Sequence, residues 1–180
     1  RRGLSVSGNV PERLALLGTE KNKDLFTRWG ILSERELEAR TAVKEEVYTR
    51  TVEMELRVAR YLLRAFVIPA ALRNQNLLIS ALDRYPQALL GKFPRMLDQQ
   101  MGFIGKFTQK LEGAMEILSA LDARNEDLKA CRDFHQGARL AAREIRPLMG
   151  EAEDLVAKLE ERIDRSFWGL PRATDMLLRY

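Results

Sequence analysis

A chain of 180 residues, 46% hydrophobic and 31% charged, suits one domain large enough to bury a real core, and nothing in it has the composition of a disordered segment. The formal charge is +4 and the pI near 9.4, yet the 30 basic and 26 acidic side chains are interleaved, as on an ordinary solvated surface. One cysteine, Cys131, excludes an internal disulfide and a zinc site of several thiolates; no apolar run approaches the ~18 residues of a membrane span, and no signal peptide opens the chain, so the expected compartment is the cytoplasm.

Residues 1–9 read as a small, polar lead-in, and Pro11 predicts the first residue of a short helix closing at Gly18. Thr19 predicts the cap of a second short helix, Glu20 to Trp29, ended by Gly30, with Leu25, Phe26 and Trp29 laid against the base of the helix that follows. That helix opens on Ser33-Glu34-Arg35-Glu36, a capping box flanked by Leu32 and Leu37 as a hydrophobic staple, and runs to about Leu82. Its predicted buried stripe is Val43, Val47, Met54, Val58, Tyr61, Ala65, Ile68, Leu72, Ile79 and Leu82. Pro69 predicts a kink that leaves the Ala65 carbonyl unpaired.

Arg84-Tyr85-Pro86 and Gly91-Lys92-Phe93-Pro94 mark a turn region holding one helical turn from Pro86 to Leu90. A second long helix follows on the stripe Leu97, Met101, Ile104, Thr108, Leu111, Met115, Leu118 and Leu121, ending near Arg124. Gly102, Gly105 and Gly113 within it predict close approach of another backbone. Asn125 reads as the N-cap of a third long helix, with the seam Leu128, Cys131, His135, Ala138, Ala142, Ile145, Met149, Ala152, Val156, Leu159 and Ile163, bent by Pro147. Phe167 to Tyr180 reads as a tail too apolar for solvent, with Thr174 capping a final helical turn. No segment alternates as a strand does. The expectation is an all-α fold: a bundle of three long antiparallel helices, proline-kinked, with short helices at one end and a docked C-terminal tail. Residues 1–32 form the lead-in and 33–180 the bundle and tail, one structural domain overall. An opening at Arg1-Arg2-Gly3 without methionine reads as the C-terminal fragment of a longer chain.

The chain lacks the phosphate-binding, dinucleotide-binding and zinc-protease motifs. His135 stands one turn after Cys131, a spacing that puts both on one face, but two ligands make no metal site and the seam predicts that both are buried. Cys131 has only His135 nearby as a base, with no third group to orient that imidazole as a nucleophile needs, and Arg132 stands where a di-iron bundle requires glutamate. Arg57, Arg60 and Arg64, and separately Arg139, Arg143 and Arg146, form basic edges that nucleic acid would use, but carboxylates intervene. Trp29 and Trp168 read as packing anchors. The sequence therefore names no catalytic, no cofactor-binding and no metal-ligating residue.

Several segments nevertheless share an order with one family. They are Arg1-Arg2-Gly3-Leu4, Glu20-Lys21-Asn22, Leu25-Phe26, Gly30-Ile31-Leu32-Ser33-Glu34, Glu36-Leu37-Glu38-Ala39-Arg40, Ile68-Pro69-Ala70, Arg146-Pro147-Leu148-Met149, Asp154-Leu155-Val156, and Trp168 with Pro171, Asp175 and Leu177. On these the chain resembles the C-terminal region of type III glutamine synthetases over most of its length. Thr41 stands where that family usually has tyrosine, and Gly169, Ala173 and Leu178 replace proline, tyrosine and phenylalanine in the tail. The resemblance implies a parent enzyme that joins ammonia to glutamate with ATP and Mg2+ or Mn2+, assembled as a ring-based homo-oligomer. The catalytic residues would lie in a preceding catalytic domain, and this segment would shape the subunit or its contacts with neighbouring subunits, without a cofactor of its own. Glu144-Ile145-Arg146-Pro147 is superficially similar to an arginine-bearing active-site motif, but its surroundings do not match and no role is carried over. The alternative is a free-standing helical-bundle adaptor or nucleic-acid-binding module.

Overall fold

The computed structural model describes residues 8–84, 92–172 and 175, and those residues are helical throughout their regular structure, with no strand among them. The short helices form where turn chemistry predicts. Helix α1, Val10–Leu17, starts at Asn9, whose side chain accepts from the Glu12 N–H at 3.0 Å, and ends at Gly18. Helix α2, Glu20–Arg28, follows with Thr19 at its N-cap, but the side chain does not cap it: the Thr19 hydroxyl donates back to the Leu16 carbonyl at 2.8 Å. Gly30, at φ +63°, closes α2 in the left-handed region, and the Ile31 N–H reaches the Phe26 carbonyl at 3.0 Å. Leu25 and Trp29 are not laid against the next helix; Trp29 is 72% exposed.

Helix α3, Glu34–Leu62, opens on the predicted capping box. The Ser33 N–H donates to Glu36 Oε2 at 2.8 Å and the Glu36 N–H to Ser33 Oγ at 3.3 Å. A π-helical turn, Leu63–Val67, joins α3 to α4, Ile68–Asp83, and the Ile68 N–H bonds to Leu63 O five residues back. The widened turn lies immediately before Pro69, whose ring would collide with the carbonyl four residues back in a regular helix. Helix α5 runs Pro94–Ala130. After a break at Cys131 and Arg132, α6, Phe134–Leu140, begins at Asp133, which accepts the Gln136 N–H at 2.8 Å. A second π turn, Ala141–Ile145, leads into α7, Arg146–Glu160, just ahead of Pro147, with the Arg146 N–H bonded to Ala141 O. Both interior prolines are thus met by the same widening of the helix.

Two corrections concern helix limits and faces. Asn125 caps nothing: it lies buried inside α5, which continues to Ala130 because no breaker precedes Cys131. The stripe predicted for the first long helix holds at Ile68 but is otherwise mostly on the wrong side. Val43, Val47, Met54, Val58 and Tyr61 are each more than half exposed, and the buried positions are Leu37, Glu45, Thr49, Val52 and Leu56, then Leu63, Val67, Ala71 and Asn74. In α5 the buried line is Phe107, Leu111, Ala114, Leu121 and Leu128, with Met101 and Met115 exposed. The third seam holds from Ala138 through Ile145, Met149, Ala152 and Leu159 to Ile163. Among the described residues no backbone approaches Gly102 or Gly105, and a Cβ at Gly113 would meet only Leu155 Cδ2 at 3.4 Å.

The packing divides the chain into two compact units, residues 1–57 with 122–148, and residues 58–121 with 149–180. Val52, Leu56, Leu128, Ala138 and Ile145 are buried in the first, and Val67, Phe107, Leu111, Leu121, Leu159 and Trp168 in the second. In the second unit Asn74 donates to Arg162 O at 3.3 Å and accepts the Asp164 N–H at 3.1 Å, fixing the chain where α7 ends. Beyond it Trp168 is buried, Arg172 donates to Ile163 O at 2.8 Å and Arg165 pairs with Asp175 at 2.9 Å, so the start of the tail is docked. The turn predicted from Pro86 to Leu90, the Thr174 cap and the docking of Met176, Leu177 and Leu178 lie outside the described residues.

Candidate functional site

The polar chemistry of the first unit gathers where α3 passes the break between α5 and α6. Glu45 is buried on α3, and its Oε1 lies 2.8 Å from His135 Nδ1 on α6, where the ring N–H donates to the carboxylate. One turn later Thr49 is buried too; its hydroxyl lies 2.8 Å from the Glu45 carbonyl and 3.3 Å from that of Phe134. Gly137 is required opposite: a Cβ there would stand 2.9 Å from Thr49 Cγ2. The Arg50 guanidinium lies over the Phe134 ring at 5.2 Å. A cavity of about 350 Å³ beside this cluster is lined by Thr49, Arg50, Lys129, Cys131 and Arg132, among others.

The break separates the two residues that the sequence places on one helical face. Cys131 lies outside both helices, half-buried, and its thiol donates to the Asp127 carbonyl at 3.4 Å; the His135 side chain is half exposed. The expectation that both are buried is therefore corrected. Burial pushes the Cys131 thiol above its ordinary value, and the carboxylates of Asp133 and Asp127 add to the effect, so the thiolate needed for nucleophilic attack or metal binding is disfavoured. A histidine–carboxylate pair acts as a base only beside a group that it can deprotonate. Here the pair joins α3 to α6, and the cluster reads as a clamp between helices.

One arginine of each basic edge is engaged in an ion pair. Arg57 lies 3.5 Å from Glu53, and Arg146 lies 2.9 Å from Glu55. Among the described residues no three His, Cys, Asp or Glu side chains are grouped so as to hold a metal ion, and no helix is long and apolar enough to cross a membrane. Sequence reasoning missed Glu45, Thr49, Asn74 and Gly137. The signal was present as the 4-3-4 spacing of residues 45, 49, 52 and 56, but it passes through a charged and a hydroxyl side chain.

A family model described as the glutamine synthetase C-terminal domain matches residues 1–85, the stretch that holds α1 to α4. Over those residues the chain is similar to the glutamine synthetase C-terminal domain. The likeness to glutamine synthetases continues past residue 85. The Type-3 glutamine synthetase of Dictyostelium discoideum is 25% identical over 177 residues, 98% of this chain and 24% of that protein. The glutamine synthetase of Bacteroides fragilis (strain YCH46) is 25% identical over 178 residues, again 98% of this chain and 24% of the relative. The chain thus spans about a quarter of the length of the curated glutamine synthetases that it matches.

Proposed function

We propose that this chain is the non-catalytic, helical C-terminal domain of a glutamine synthetase-like enzyme, with a structural or assembly role in a cytoplasmic homo-oligomer. The observation that carries the reading is the alignment: nearly the whole chain matches two glutamine synthetases, and it accounts for 24% of each. The reading assigns ATP-dependent ligation of ammonia to glutamate, with Mg2+ or Mn2+, to a catalytic domain outside this segment. It is supported locally by the clamp at Glu45 and His135, whose members are spent on holding helices together. The finer arrangement that accompanies it is three long antiparallel rods bent at Pro69 and Pro147.

The test expresses the complete gene product that contains this chain and measures ATP-dependent formation of glutamine, with calorimetry of the 180-residue chain against ATP and Mg2+ as the second arm. Glutamine formation by the full product and no heat of binding to the chain are expected. A full product without ligase activity, or stoichiometric ATP binding by the chain alone, overturns the proposal.

A further inference from the structure

Helix α3 has a mixed face that is buried and, on its far side, an apolar face that the described residues of the chain do not cover. Val43, Val47, Met54, Val58 and Tyr61 are 55–60% exposed. At about 100° per residue they fall within roughly 60° of arc, opposite the buried Glu45, Thr49, Val52 and Leu56. Single exposed apolar residues are ordinary on any surface; five on one line, spaced 4, 7, 4 and 3, form the seam with which one helix packs on another. From this we infer that α3 pairs antiparallel with α3 of a second copy of this chain.

The charges along one edge of the seam identify the occupant. Glu46, Arg50, Glu53 and Arg57 alternate in sign at spacings of 4, 3 and 4, so the row read backwards is its own complement. An antiparallel copy sets Glu46 against Arg57 and Arg50 against Glu53, each twice by the two-fold symmetry, whereas a parallel copy in register sets like charges together. The same register brings Val47 within two residues of the partner's Val58 and Val43 within one residue of the partner's Tyr61. Within one chain these charges already pair along the helix, Arg50 with Glu53 at 3.2 Å and Arg57 with Glu53 at 3.5 Å, and the arginines stay exposed at the rim where a partner's carboxylates reach them. Beside Val47 an open apolar groove of about 670 Å³, walled by Val10, Leu17 and Tyr48, lies where this register brings the partner's Met54 and Val58.

The pairing gives the proposed assembly role a surface, and it rests on that reading only for its place within a larger enzyme. Sedimentation equilibrium of the 180-residue chain tests it, with circular dichroism confirming that each variant keeps its helix. A reversible dimer is expected. Met54→Lys and Arg57→Glu should each raise its Kd by about tenfold or more, and Glu46→Arg combined with Arg57→Glu should recover most of that loss, because the reversed pair attracts again. A chain that stays monomeric at the highest soluble concentration overturns the inference and assigns the face to another part of a longer protein. A dimer indifferent to Met54→Lys, or a double variant no tighter than Arg57→Glu alone, overturns it equally. None of these outcomes bears on ligase activity of the full gene product, so the two proposals fail separately.

Discussion

Glu45, Thr49 and Asn74 occupy buried positions that an apolar pattern would give to leucine, and each is held by a partner that compensates its lost water. Glu45 has the His135 ring, Thr49 the Phe134 carbonyl, and Asn74 both Arg162 O and the Asp164 N–H. Removing the amide in Asn74→Ala strands two backbone groups, and the expected loss is about 1–3 kcal/mol in urea unfolding. The glycines separate in the same assay. Gly137→Ala drives a methyl into Thr49 Cγ2 and should cost about 1–3 kcal/mol, whereas Gly102→Ala and Gly105→Ala, with open space around them, should stabilise α5 by up to about 1 kcal/mol each. A stabilised Gly137→Ala protein would show that α3 and α6 are not held at this distance.

At the scale of elements, helix starts and chain turns are secured by carboxylates whose titration has a definite sign. The Ser33 backbone N–H, then its hydroxyl, holds the Glu36 carboxyl below the ordinary glutamate value; the Ser166 hydroxyl, then its N–H, does the same for Asp164. A depressed folded value means that the stabilisation is present above the unfolded value and is lost as pH falls through the folded one. Lys23 is the converse. Its hydrogen bond to Glu34 raises it, so that contribution is present below the unfolded value and lost as pH rises through the folded one. Urea midpoints of the native chain should therefore drop between neutral and about pH 3, and those of Glu36→Gln and Asp164→Asn should drop less. Equal slopes in all three proteins would remove these two carboxyls from the account.

At the scale of the molecule, α3 and α6 run unbroken into π turns, and α3, α5 and α7 each contribute residues to both compact units. Because these helices pass continuously from one unit into the other, Leu56→Ala in one unit and Phe107→Ala in the other should each lower the same calorimetric transition, by about 2–5 kcal/mol as fully buried side chains do. Two resolved transitions would contradict this. Much of the fold was legible beforehand because its signals are local. The Ser33 capping box, Pro11 and Gly18 around α1, Gly30 after α2 and the seam from Ala138 to Ile163 depend on neighbours within a few turns. The break at Cys131 and the widened turns before Pro69 and Pro147 were not read as such, since a sequence shows that a proline lacks its N–H but not how the helix responds. The clamp was invisible for another reason: Glu45 and His135 are ninety residues apart. By itself the sequence determined that the chain is helical and where most helices begin, because capping and periodicity act over one or two turns. Only the tertiary structure decided which of the two faces of α3 is buried, because a polar face is buried when distant partners satisfy it, and an apolar face is left outside when the described residues bring nothing to cover it.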